Sequence, residues 1–405
     1  MKSHVWFLSS LLVAGASALA VGRLSGGAAA LVPTNTVSFA PAIKLRSPVL
    51  YPYSIAAGDL TGNGIPDLAV VGIEQSALLH ALGKGDGYFG PWSDKGGTGD
   101  APGFVIFADV DLDGKLDAVT TDATQPIVTV SFGDGKGHFN RGVQPDTGVG
   151  YATNYLAVAD LNGDGIPDIV GTASVVGEDW GQIFVLLGKG NREFEKPAHL
   201  ASGGFQPQGI AVADLNHDGI PDLVVANFGK QPPYGNIAVL LGNGDGTFAK
   251  PVTYQLGQYH DPYGVTLGDF NGDGNIDMAV TTQRSNDVQI FLGRGDGTFS
   301  RQKLYYAGID PYSVAIADFN GDGIPDLAIT NYTSPKHCHV SVLLGNGDGS
   351  FQKPIHFPVG LSPVQIVVAD FNHDGKPDIA TINQGNATVS ILLNTTQLPT
   401  RSASH

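Results

Sequence analysis

Asp318-Phe319-Asn320-Gly321-Asp322-Gly323-Ile324-Pro325-Asp326 packs three carboxylates, one amide and two glycines into nine residues. The pattern D-x-[N/D/T]-x-[D/N]-G-x-x-D occurs seven times, beginning at Asp59, Asp109, Asp160, Asp214, Asp269, Asp318 and Asp370. The intervals are 50, 51, 54, 55, 49 and 52 residues. A period near fifty, repeated seven times, makes the repeat the unit of folding.

Each copy has the same neighbours. An alternating stretch such as Ser313–Phe319 precedes the loop, and a β-rich run such as Asp222–Asn227 follows it. A variable loop comes next, then a third apolar run such as Ile237–Gly242, and in six copies a glycine-rich turn that ends in Phe, as at Phe248. Four short segments of period two, separated by turn residues, predict four strands per repeat. The fold class expected is all-β: a seven-bladed β-propeller of four-stranded antiparallel blades. A parallel β-helix has far shorter coils. In the first six copies the Phe lies six residues beyond the Gly that ends the third strand, but the seventh has Thr400 at that offset. Val37–Leu45 resembles Gly246–Tyr254, so the N-terminal strand is expected to complete the last blade and hide its open edge.

The loops carry the strongest chemical signal. Position 1 is always Asp (Asp59, Asp109, Asp160, Asp214, Asp269, Asp318, Asp370). Position 3 is Thr61, Asp111, Asn162, Asn216, Asn271, Asn320 or Asn372. Position 5 is Asn63, Asp113, Asp164, Asp218, Asp273, Asp322 or Asp374, and position 9 is Asp67, Asp117, Asp168, Asp222, Asp277, Asp326 or Asp378. Side-chain oxygens at these four positions, with the carbonyl at position 7, suit one hard cation. Calcium accepts six to eight oxygens in flexible geometry. No sulfur or imidazole cluster favours zinc or copper. An EF-hand is excluded because position 12 is never Glu and Pro occupies position 8 in five copies. Up to seven Ca²⁺ ions are expected, one per blade. The first loop, with only Asp59 and Asp67 as carboxylates, is expected to be the weakest site.

The whole unit, and the stretch Asp318–Asp326 in particular, resembles the FG-GAP/VCBS repeat family, which includes the N-terminal propeller of integrin α chains and many bacterial secreted proteins. The resemblance covers Val37 to Asn394. It implies calcium ligands at positions 1, 3, 5 and 9 and recognition of proteins or glycans, as in cell adhesion. The first loop departs from the pattern through Thr61 and Asn63.

Composition agrees with this reading. The 405 residues include 56 Gly and 25 Pro, suited to tight turns, and the net charge is −16. An acidic chain without long basic runs repels phosphate backbones, so no nucleic-acid partner is expected. Of the 38 acids, 21 lie in the seven loops, and seven divalent ions would bring −16 to −2. Cys338 is the only cysteine, which excludes an intrachain disulfide.

Residues 1–20 read as a signal peptide, with Lys2 ahead of an uncharged apolar run from Val5 and a small-x-small pattern at Ala18-Leu19-Ala20. Retention as a membrane anchor is the other reading of this segment; otherwise no transmembrane segment remains after cleavage. Residues 21–36 read as a linker, 37–394 as the propeller and 395–405 as a flexible tail. The mature chain is expected to be secreted, periplasmic or on the cell surface.

In a four-stranded meander, the acidic loops and glycine turns share one face. The variable loops lie on the other, where a rigid scaffold usually binds. Pro stands seven residues before the first loop Asp in six copies, and the next position reads Tyr53, Gly103, Asn154, Gln208, Tyr263, Tyr312 and Val364. These are expected to ring the channel mouth. Trp180, Tyr234 and Tyr332 add aromatic groups from the longer inserts. Tyr and Trp beside amides suit sugar stacking or protein hot spots. Arg294-Gly295-Asp296 falls where other copies read a glycine turn and is assigned to turn chemistry. No nucleophile elbow, P-loop, dinucleotide fingerprint or HExxH is present. The sequence therefore favours a non-catalytic module binding a protein or carbohydrate ligand. The alternative is an extracellular carbohydrate-active enzyme, polysaccharide lyase-like, with its site at the channel mouth.

Overall fold

The computed structural model describes residues 36–149, 152–173, 180–229, 235–257, 259–332 and 338–397. The signal-peptide segment, nearly all of the linker, Tyr234, and the tail beyond residue 397 lie outside the described residues.

The repeats form seven four-stranded antiparallel sheets. The sixth is representative: Pro311–Ala317, Asp326–Asn331, His339–Leu343 and Ile355–Pro358 pair in sequence order. The first strands of successive sheets touch one another, and that of the seventh, Pro363–Ala369, touches that of the first, Pro52–Gly58. The ring is closed, as the repeat count implied. The one helical element among the described residues is a single 3-10 turn, Gln384–Asn386. No helix there is long and apolar enough to cross a membrane.

Closure uses both ends of the chain. In the seventh sheet Ile43–Arg46 pairs with Thr388–Leu392, with Ile43 opposite Ile391 and Arg46 opposite Thr388. Phe39 bridges Asn394 just as Phe89 bridges Gly83 and Phe351 bridges Gly345. The pairing also runs past the expected start of the tail. Thr395 donates its N–H to the Ser38 carbonyl at 2.8 Å, and Ser38 donates to Thr396 Oγ1 at 3.0 Å. Residues 395 and 396 therefore belong to the clasp, a correction to the boundary drawn at Asn394.

Each of the seven blade interfaces holds its own apolar cluster. Between the third and fourth blades, for example, Leu161, Val170 and Ile183 meet Ile210, Leu223 and Leu240. Second strands are buried along their whole length, whereas outer strands such as Ile355–Pro358 alternate. Full burial of such a side chain contributes roughly 1.5–3 kcal/mol. The loop residue at position 2 joins this packing. The rings of Phe371 and Phe89 lie 5.7 Å apart in edge geometry, and those of Phe270 and Phe351 5.4 Å apart. The fixed offset of the turn Phe thus reflects a contact with the acidic loop of the neighbouring blade.

Every first strand has a register irregularity just after its opening residue. A bulge re-aims the unpaired residue, and here the re-aimed positions include Tyr53, Tyr263 and Tyr312.

Candidate metal loops and ligand face

All seven acidic loops adopt one backbone. The position-6 glycine has positive φ in each, as at Gly323 (84°), and donates its N–H to the position-1 Asp, Gly323 to Asp318 at 2.7 Å. The position-7 N–H reaches the position-5 oxygen, as Ile324 to Asp322 at 2.8 Å. In four loops the position-3 amide donates to the position-5 carboxylate, as Asn320 to Asp322 at 2.9 Å. Positions 1, 3 and 5 therefore converge from a loop whose backbone is already fixed.

Position 9 has a second duty that the sequence reading missed. Its carboxylate is fully buried in every blade. One oxygen accepts the N–H of position 2, as Asp326 from Phe319 at 2.9 Å. The other accepts the N–H that ends the third strand, as Asp326 from Gly345 at 2.8 Å. The same pair of bonds occurs at Asp67, Asp117, Asp168, Asp222, Asp277 and Asp378. The aspartate thus pins the first hairpin to the third strand. A Cβ at Gly345 would lie 2.4 Å from the Pro325 carbonyl, which explains the glycine there. The available signal was that a glycine ends the third strand in six copies, always six residues before the turn Phe.

Burial pushes these carboxyls up: Asp117, Asp168 and Asp277 to about 6, Asp378 to about 7 and Asp326 to about 8. Neighbouring loop carboxylates push in the same direction, Asp318 and Asp322 acting on Asp326 and Asp109 and Asp111 on Asp117. Backbone N–H bonds oppose the shift without overcoming it. In the second loop, oxygens of Asp109, Asp111 and Asp117 all lie within 4.8 Å of one another. Hard oxygen donors, mutual repulsion and a preset backbone fit a calcium ion. Each position-9 oxygen keeps a further lone pair beside its N–H bond, so its structural bonds leave room for a metal contact.

The opposite face departs from the expected ring. Tyr263 and Tyr312 are only 8 % and 9 % exposed, and both pack into the apolar cluster between the seventh and first blades. The Tyr53 hydroxyl lies 2.8 Å from that of Tyr263 and 2.7 Å from that of Tyr312, and the last two hydroxyls also bond to each other. Tyr155, which the sequence reading passed over, sets its ring edge-on to Tyr263. Burial drives the hydroxyls of Tyr155, Tyr263 and Tyr312 well above the usual phenol range. The cavity lined by Phe104, Tyr155, Tyr312 and Gln365 has only about 20 Å³, room for at most a water. The tyrosines plug the channel because bulges turn them inward and apolar neighbours surround them.

Of the remaining expected ligand residues, Asn154 is half-buried and donates to the Pro207 carbonyl at 2.9 Å, and Gln208 is half-buried. Tyr332 donates to Gln384 Oε1 at 3.1 Å. Trp180 stands apart. It is 56 % exposed and stacks on Phe205 with centroids 5.0 Å apart and planes 22° apart. Tyr259, also exposed, has a left-handed backbone (φ 69°) and carries the Arg284 guanidinium over its ring at 5.7 Å. Arg294-Gly295-Asp296 is a closed turn, with Arg294 donating its N–H to the Thr298 carbonyl at 3.0 Å and Asp296 accepting from Thr298 at 2.9 Å.

Integrin alpha-PS5 of Drosophila melanogaster is 34 % identical over 158 residues, 34 % of this chain and 15 % of that protein. Phosphatidylinositol-glycan-specific phospholipase D of Rattus norvegicus is 29 % identical over 150 residues, 31 % of this chain and 18 % of that protein. The matches thus span under a fifth of each relative. Among solved structures, an Agrocybe aegerita lectin described as recognising non-reducing terminal N-acetylglucosamine aligns with TM-score 0.54 and 20 % identity, covering 89 % of this chain and 86 % of the lectin. The V. cholerae biofilm matrix protein Bap1 aligns with TM-score 0.50 and 14 % identity, covering 89 % and 92 %. These two share the fold. The model of the FG-GAP-like repeat matches residues 59–120, 173–225, 222–280, 269–329 and 318–381, four of the five matches running from one acidic loop into the next. With more than half of its length matched in this way, the chain belongs to the FG-GAP-like repeat family.

Proposed function

We propose that this chain is an exported, calcium-stabilised binding module that recognises a glycan or protein through the aromatic face opposite its acidic loops. The observation that carries the reading is the Trp180–Phe205 stack. A solvent-facing indole backed by a second ring is a ready platform for a sugar face or an apolar hot spot. Tyr259 is held in a backbone conformation that bulky residues seldom adopt, the kind of strain found at binding sites. The alignment with a sugar-recognising lectin over 89 % of this chain supports a glycan ligand, and the integrin match supports a protein one. Calcium, bound by the acidic loops, would hold the rim rigid beneath this face.

The enzymatic alternative is not favoured, because the channel mouth it needs is closed by Tyr53, Tyr263 and Tyr312. The test is a glycan array with the purified chain in calcium, repeated with Trp180→Ala. Retained binding of a glycan hit by the variant would place the site elsewhere; chain cleavage of a bound polysaccharide would restore the enzyme.

A further inference from the structure

Three residues near the second acidic loop break the repeat together. Position 3 is Asp111 where the other copies have Asn or Thr. In the third glycine turn Arg192 stands where the five other turns have Gly, and it keeps their left-handed backbone, φ 65° against 78° at Gly349. The residue against which that position packs is Leu in the other blades, as Leu292 beneath Gly349, but Phe132 here. The three departures meet in space. The Arg192 guanidinium crosses from the third blade to the second, binding Asp111 Oδ2 through Nε at 2.7 Å and Nη2 at 2.5 Å. It also lies 4.3 Å from the centre of the Phe132 ring. Among the ion pairs of the described residues, this is the one that brings a cation from another blade to an acidic loop.

We propose that Arg192 is a tethered competitor for the cation of the second loop and holds that loop's calcium affinity down. The inference rests on the calcium reading above. Among the described residues, Asp111 belongs to the one trio of carboxylates whose oxygens lie within 4.8 Å of one another. Asp113, a further carboxylate of that loop, is paired with Lys115 at 2.8 Å. Two of four carboxylates are thus already balanced from within the chain, which reduces the second loop to the charge of the first. A divalent ion at Asp109, Asp111 and Asp117 must approach a fixed guanidinium of like sign or displace it. Displacement is feasible, since Arg192 is half-exposed, rests on Phe132 and borders a groove of about 440 Å³ between the two blades. A charge-bearing variant should preserve the effect, and a neutral one should release it.

The experiment is calorimetric calcium titration of the whole chelator-stripped chain, comparing wild type with Arg192→Gln, Arg192→Lys, Asp111→Asn and the Asp111→Asn/Arg192→Gln pair. Arg192→Gln is expected to tighten one site about tenfold or more, while Arg192→Lys stays near wild type. The double variant should match Asp111→Asn alone, because competition needs Asp111. Wild-type-like or weaker calcium binding by Arg192→Gln would overturn the proposal. If Arg192→Gln does not fold, Arg192→Gly, which restores the residue of the other five turns, takes its place, and wild-type-like or weaker calcium binding by that variant would overturn the proposal as well. No uptake by any variant would instead sink the calcium reading.

Discussion

Asp378 Oδ1 accepts the backbone N–H of Asn394 at 2.7 Å, so the last acidic loop grips the strand end that meets Phe39 of the N-terminal segment. In the other six blades the same oxygen grips a glycine. Asn394 also donates its side-chain amide to the Phe319 carbonyl at 2.9 Å, tying the clasp to the sixth blade. The ring is therefore locked by an aspartate at the point where the two chain ends meet.

Position 9 is expected to dominate stability. Asp326→Ala strips two buried N–H groups of their acceptor, and each orphaned donor costs about 1–3 kcal/mol. Asp322→Ala, at the solvent side of the same loop, should cost under about 1 kcal/mol without calcium. Urea unfolding in chelator measures both. Equal losses would show that the loop, and not the pinned strand, is what Asp326 supports.

The metal-free chain should lose stability as pH rises. Position-9 carboxyls are raised by burial, up to about 8 at Asp326 and about 7 at Asp378, from an ordinary value of 3.8. The folded state thus holds more protons than the unfolded state between those limits. Their contribution is complete below pH 3.8 and fades as pH climbs through 6 to 8. A higher urea midpoint in chelator at pH 5 than at pH 8 is expected. Calcium should favour the ionised loops, so its stabilisation should grow across the same interval.

Chelation should lower the melting temperature, and calcium should restore it. An ion at a hundred times its Kd adds about 2.7 kcal/mol per site. Asp59→Asn should remove the smallest share of this gain and Asp318→Asn a larger one, since the first loop has only two carboxylates. Identical melts with and without calcium would contradict metal binding.

The tyrosine plug separates folding from recognition. Tyr263→Ala empties a buried ring site and should cost about 3–5 kcal/mol. Tyr263→Phe removes only the shared hydroxyl and should cost about 1 kcal/mol. Trp180→Ala should leave the melt unchanged. A stable, folded Tyr263→Ala protein would mean that the channel tolerates opening.

Removing residues 1–46 should expose the Thr388–Leu392 edge that Ile43–Arg46 covers. An unpaired edge recruits other chains. Oligomers or aggregates on gel filtration are expected, relieved by a peptide spanning 36–47. A monomeric truncated chain of unchanged stability would show that the clasp is dispensable.

The linear chain alone specified the blade count, the four strands per blade, the borrowed N-terminal strand and the acidic loops. All of these follow from period, alternation and turn chemistry, which are local properties repeated seven times. Asp318 through Asp326 is legible on its own because each role in the loop belongs to a fixed offset. What required the folded ring was every contact between repeats. Tyr53, Tyr263 and Tyr312 lie up to 259 residues apart in sequence yet share hydroxyl contacts; alternation gave no sign that a bulge would turn them into the channel. Arg192 and Asp111 are 81 residues apart in two different copies, and nothing local links them. Only the curvature that sets blade against blade brought them together, because side chains at a propeller interface answer to the neighbouring sheet rather than to their own strand.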